Sequence, residues 1–136
     1  MGKRTTARRL SMQALYEAEH GNTAILDAIE HVLEEKVISA DSREFIKYLA
    51  EGSWNNKEIA DSVIKKYSKG WRVERIGGVD RNILRLAIFE INEKETPVQI
   101  VINEALELAK EFSTIEASKF INGILGAYIK DAELKK

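Results

Sequence analysis

The sequence predicts an all-α fold, a compact bundle of about six or seven helices. Three observations lead there. Proline occurs once, at Pro97, and glycine only eight times in 136 residues. Apolar residues recur three and four positions apart along nearly the whole chain. Strand-like alternation is missing over any useful length. The length suits one domain spanning residues 1–136, which can bury roughly two-thirds of its unfolded surface without a covalent staple.

Each element has its own signals. A first helix covers about residues 4–19, with Ala7, Leu10, Ser11, Ala14 and Ala18 on a narrow small-residue face. Gly21 and Asn22 end it. A second, over about 24–36, turns Ile25, Leu26, Ile29, Val32 and Leu33 inward. A third starts near Asp41, where Glu44 three residues on resembles a capping box. It carries Phe45, Ile46, Leu49 and Ala50, and Gly52 is a candidate bend or break. Ile59, Val63, Ile64 and Tyr67 continue the pattern to Ser68, and Lys69-Gly70-Trp71 forms a joint. Gly77-Gly78 interrupts the chain before Asp80, the expected cap of a helix apolar over most of its surface and therefore central. Thr96 as cap, Pro97 at the first helical position and Gln99 as reciprocal partner open the next helix. There Val98, Val101, Ile102, Ala105, Leu108, Ala109 and Phe112 form one face, opposite Glu104, Glu107 and Glu111, with Ile100 pointing outward. Ser113 with Glu116 marks the start of a last helix, which carries Phe120, Ile121, Ile124, Leu125 and Tyr128 inward and Gly123 and Gly126 on one side. The Lys135-Lys136 tail is expected to fray.

Composition narrows the chemistry. Apolar residues make up 44% and charged residues 32%, the balance of a folded soluble chain. With no cysteine there is no disulfide, no thiol catalysis and no cysteine-based zinc site. His20 and His31 are too few for a histidine metal centre. No apolar run is long enough to span a membrane, and the charged N-terminus lacks a signal peptide's apolar core, so a cytoplasmic location is expected. The net charge is −1, yet the first nine residues hold Lys3, Arg4, Arg8 and Arg9 and no acid. A positive arm on an acidic body is an asymmetry that calls for a partner.

That arm is the strongest candidate site. Lysine and arginine attract phosphate, and arginine adds a planar fork that also stacks on unpaired bases. Arg9 and Tyr16 are seven residues apart, on one helical stripe opposite Ala7 and Ala14, so Tyr16 could offer a base a stacking face. From spacing alone Lys3 and Arg4 serve equally well as solubilising charges, and an aromatic such as Tyr16 is more often core. Lys65, Lys66, Lys69, Arg72 and Arg75 form a second basic group, either an extension of a phosphate track or a solvated helix end. Arg81 and Arg85, four apart, read first as partners of nearby carboxylates. Paired carboxylates abound, but none is accompanied by a histidine or a glycine-rich phosphate loop. The expectation is a protein that is not an enzyme and uses no cofactor or metal.

Four strings, in order, resemble the NusB transcription-antitermination family. Ala7-Arg8-Arg9 leading into Gln13-Ala14-Leu15-Tyr16 is similar to its basic arm and first helix. Asp80-Arg81-Asn82-Ile83-Leu84-Arg85-Leu86-Ala87, ending at Glu90, is similar to its central helix. Pro97 followed by Ile102-Asn103-Glu104-Ala105-Leu106-Glu107-Leu108-Ala109-Lys110 is close to its most recognisable string. Ser118-Lys119-Phe120-Ile121-Asn122-Gly123-Ile124-Leu125 matches its last core helix. The resemblance implies two helical halves and binding to the single-stranded boxA element of nascent ribosomal transcripts. It also implies a partner, the ribosomal protein NusE, and action on RNA polymerase alongside other Nus factors to pass terminators. Carried over residue by residue, Lys3, Arg4, Arg8 and Arg9 would hold RNA phosphates, and Tyr16 would lie close to the RNA. Glu116 and Phe120 would mark the edge of the RNA surface, and Asp80 would face NusE. Thr5 and Thr6 interrupt the arm, which implies weaker RNA binding without the partner. Some members form homodimers that cover the arm, which makes a second copy a candidate partner.

Two other classes remain open at this point. NusB-like domains also occur fused to RNA cytosine methyltransferases, and a protein-interaction bundle without RNA contact would carry the same helices.

Overall fold

A computed structural model describes residues 2–34 and 36–134 of the chain, with side chains up to residue 133. Lys135 and Lys136, expected to fray, lie outside the described residues. Seven α-helices are present among them: α1 Lys3–His20, α2 Ile25–Leu33, α3 Ala40–Asn55, α4 Lys57–Tyr67, α5 Gly78–Glu93, α6 Val98–Phe112 and α7 Ile115–Leu134. A short 3₁₀ turn, Val73–Arg75, precedes α5.

The helices form two packed groups. In one, α1, α2 and α3 pack on each other; in the other, α5 and α7 pack on each other and on both α4 and α6. Helix α5 joins them by packing on α1 and α3 as well. Its sequence dictates that place, because every residue from Arg81 to Ile91 is buried. Ile83, Leu84 and Ile88 are among the largest fully buried side chains, together with Leu15, Leu49, Ile64, Ile121 and Leu125 from other helices. Each such side chain contributes about 1.5–3 kcal/mol by leaving water.

Several helix ends sit one or two residues from where sequence signals put them. Ser39, not Asp41, caps α3, its hydroxyl accepting from the Ser42 amide at 3.2 Å. Helix α5 starts at Gly78, so Asp80 lies in its first turn, where a negative charge suits the helix dipole. Pro97 is itself the residue before α6, with extended ψ, and Gln99 bonds Asn103 rather than closing a capping box. The Ser113 amide closes α6 on the Ala109 carbonyl, which passes the capping role for α7 to Thr114, whose hydroxyl accepts from the Ala117 amide at 2.9 Å. At the end of α1, Asn22 rather than glycine takes the left-handed conformation, with φ 51°, which a short polar side chain tolerates.

Gly52 does not break a helix. Helix α3 runs through it to Asn55, and a Cβ at Gly52 would meet the Phe89 ring of α5 within 2.1 Å. The glycine is there for close approach, and the break falls at Asn56. Three expected core positions are also reassigned. The buried stripe of α2 is Ile25, Ala28, Ile29 and Leu33, which turns Leu26 to solvent. In α4 the stripe centres on Ala60 and Ile64, which exposes Ile59. Val98 is exposed in the first turn of α6, while Ile100 points outward as expected.

Candidate nucleic-acid interface

Helical geometry divides the four basic residues near the start of α1. Lys3 and Arg4 are exposed in its first turn, which contains no acid and is preceded by Gly2, a cap without a side chain. Cations there oppose the helix dipole by about 0.3–1 kcal/mol each. The result is a strongly positive helix end, costly for the fold and attractive to an anion. The Arg4 guanidinium lies 3.9 Å from the centroid of the Phe45 ring, which steadies it above α3.

Arg8 takes a different place from the one expected. One turn further along the Arg4 face, it is buried, with only 3% of its surface accessible. Its Nε and terminal nitrogen donate to the two Glu90 oxygens at 2.8 and 2.9 Å, and its other nitrogen reaches Glu104 at 3.4 Å. Burial works against its charge, but the hydrogen bond and charge of Glu90, aided by Glu104, raise its pKa above the ordinary arginine value. Arg8 therefore locks α1 to α5 and α6. Arg9 points toward α6, its Nε 3.8 Å from Glu111, and keeps part of its side chain in solvent.

Tyr16 lies two turns beyond Arg9 and is 40% exposed, so it is not a core aromatic. It lines an open concavity of about 640 Å³ with Met12, Gln13, His31, Val79 and Phe112. Its ring stacks on His20 with centroids 4.3 Å apart. The two rings lie so close to α5 that a Cβ on Gly78 would meet His20 at 2.1 Å and Tyr16 at 3.0 Å. On the rim, His31 bonds Glu17, which raises its pKa.

A partly buried ionic hub sets the height of α1 against α5. Glu19 of α1 accepts from Arg81 and Arg85, each at 2.7 Å, and from Asn82 at 3.1 Å. Arg85 completes a two-point bond to Asp61 of α4 at 2.8 Å. Burial pushes the Glu19 carboxyl up, but hydrogen bonds and charge from Arg81 and Arg85 outweigh it and hold the pKa at about 2. Arg81 also donates to the carbonyls of Val73 and Ile76, tying the 3₁₀ turn to the same hub. The carboxylate pairing expected for Arg81 and Arg85 is thus what the fold uses.

The remaining candidates lie further round. Asp80 is half-buried in the first turn of α5, next to Val79 on the wall of the Tyr16 concavity. Glu116 is exposed in the first turn of α7, and Phe120 follows one turn on, half-buried. Phe120 meets Trp71 edge to face, with ring centroids 6.2 Å apart. Sequence reasoning placed Trp71 in a joint and gave it no role. Its only signal was a tryptophan inside the second basic group, whose members Lys65, Lys66, Lys69, Arg72 and Arg75 are all exposed. The fold brings Tyr16 and Phe112 to one concavity and Phe120 to another, leaves Asp80 beside Val79 at the border of the first, and makes Arg8 internal.

Comparison with known proteins adds the family. The NusB family model matches residues 5–130. Transcription antitermination protein NusB of Symbiobacterium thermophilum is 39% identical, with 93% of this chain and 89% of that protein covered. Its counterpart in Bacillus subtilis is also 39% identical, over 96% of this chain and 98% of that protein. Among solved structures, antitermination factors NusB and NusE in complex with double-stranded RNA superimpose with a TM-score of 0.88 at 31% identity, covering 96% of this chain and 98% of the matched one. The solution structure of NusB from Aquifex aeolicus gives 0.83 at 32% identity, over 100% and 93%.

Proposed function

The chain belongs to the NusB family of transcription antitermination proteins, and from that membership we propose that it binds boxA RNA of nascent ribosomal transcripts together with NusE. In this role it acts with RNA polymerase and other Nus factors to carry transcription past terminators. The observation that carries the reading is the surface of α1. It presents Lys3 and Arg4 on a positive helix end and an exposed Tyr16 in an open concavity.

The roles follow from accessibility. Lys3, Arg4 and Arg9 hold phosphates, and Tyr16 stacks on an unpaired base. Arg8 acts by holding α1 in place, because its guanidinium is committed to Glu90 and Glu104. Glu116 and Phe120 border the RNA path, and Asp80 faces NusE. A second copy of the chain is the competitor for the arm. The match to a structure containing NusB, NusE and RNA supports this assignment of partners.

The test is fluorescence anisotropy of labelled boxA RNA and a scrambled RNA, titrated with the protein alone and with NusE. Selective binding strengthened by NusE is the expected result. Equal, weak binding to both RNAs, unchanged by NusE, would overturn the reading and leave a protein-interaction bundle.

A further inference from the structure

We infer that Trp71 and Phe120, ringed by Lys66, Lys69 and Lys119, form a second single-stranded RNA platform that stacks one unpaired base. The inference rests on the RNA-binding reading above and extends it from Phe120, which that reading places at the border of the RNA path, to Trp71 and the lysines around it, which it does not use.

Trp71 is 58% exposed, although it is the largest apolar side chain type and stands beside a groove. Its backbone is nevertheless fixed. The buried Ser68 hydroxyl donates to the Trp71 carbonyl at 2.8 Å. Lys69 and Gly70 both take left-handed conformations, with φ 52° and 94°, which turn the chain sharply just before the ring. A non-glycine residue held at positive φ is locally strained, and such strain gathers where a fold presents a functional group. The loop is built to hold an indole out in water.

The surroundings suit a nucleotide. Trp71 and Phe120 wall a concavity of about 560 Å³ with Lys66, Lys69, Lys119 and Gly123. No acid lines it. A Cβ on Gly123 would have nothing within 4 Å, so the α7 side of the groove is open to a flat ring. Lys69 and Trp71 also line the adjoining hollow with Arg72 and Arg75, which continues the positive surface. Of the nearby acids, Glu74 lies 4.0 Å from Arg72 and Asp131 accepts from the Tyr67 hydroxyl, while Glu116, exposed one turn before Phe120, is outside the lining of the groove. Aromatic faces for bases and lysines for phosphates are the two parts of a single-strand site. A protein-docking face would share the aromatics but is typically depleted of lysine. Duplex RNA keeps its bases stacked, so the platform selects unpaired nucleotides.

The experiment uses Trp71 as its own reporter. Trp54 is the only other tryptophan, half-buried with the Lys57 amine 4.0 Å from its ring centroid, and Trp54→Phe leaves Trp71 as the sole emitter. Titrating this full-length variant with oligo-adenylate should quench emission saturably. Trp71→Ala should weaken binding of that RNA roughly five- to a hundredfold, and Trp71→Tyr should restore most of it, with circular dichroism and melting unchanged in both. Emission that stays constant while anisotropy shows the RNA bound would overturn the platform, as would full affinity in Trp71→Ala. Quenching by NusE with RNA inert would overturn it in favour of a protein-docking face. Quenching by boxA and scrambled RNA alike keeps the platform and sinks boxA selection, whereas boxA selection with silent Trp71 does the reverse. No RNA binding of any kind sinks both.

Discussion

Arg8 and Glu90 meet as a two-point ion pair across 82 residues of chain, with donor–acceptor distances of 2.8 and 2.9 Å and both side chains almost wholly buried. Removing one partner strands the other as an uncompensated buried charge. Arg8→Ala is therefore expected to cost about 3–5 kcal/mol, measured as a fall in urea midpoint. Arg8→Glu would put three carboxylates together and unfold the chain. Loss of RNA binding in that variant reports on folding, and stability equal to the parent would show that the pair does not form.

The surface cations should behave in the opposite way. Lys3→Gln with Arg4→Gln leaves the melting temperature nearly unchanged, since Arg4 loses only an exposed cation–π contact of about 0.5–1 kcal/mol. RNA affinity falls, and the log–log salt slope flattens by about 0.7 for each phosphate contact removed from a single strand. An unchanged slope would take these residues out of the RNA path.

Glu19 predicts an acid limb in stability. Its carboxyl sits at about 2 in the folded chain against an ordinary 4.5. A depressed carboxylate stabilises above its unfolded value and loses that contribution as pH falls through the folded one. Thermal melts should thus lose stability between pH 4.5 and about 2. Glu19→Gln should cost about 2–3 kcal/mol at neutral pH and flatten this limb. An unaltered acid limb in the variant would place the titration elsewhere.

Gly52→Ala tests the close approach of α3 and α5. The added methyl would overlap the Phe89 ring, which is 7% exposed and has little room to yield. Overpacking of this kind costs about 1–3 kcal/mol. Pairing it with Phe89→Leu should recover part of the loss, and a stabilised Gly52→Ala would mean that the helices are further apart.

Leu108→Ala tests the inward face of α6. Leu108 is 4% exposed, so truncation should cost about 2–5 kcal/mol in chemical denaturation. A negligible change would reverse the face.

Arg8 and Arg9 show where sequence reading stops. They are the same residue type, side by side, in a run that looks uniformly basic. One is buried and the other faces the solvent edge of α6 because Glu90 and Glu104 arrive 82 and 96 residues later on packed helices. Trp71 was hidden for a similar reason: its role depends on Phe120, which α7 brings beside it.

What the sequence determined by itself is what depends on neighbours three and four residues apart. That includes the all-α fold of about six or seven helices, the central place of the largely apolar α5, most of the inward face of α6 and the four strings that mark the family. Amphipathic periodicity and helix propensity are local, so they can be read along the chain. What only the tertiary structure decided depends on distances between helices: the burial of Arg8, the reason for Gly52, the exposure of Leu26 and Ile59, and the Trp71–Phe120 platform. Those outcomes follow from how neighbouring helices pack, and packing joins residues that no local spacing connects.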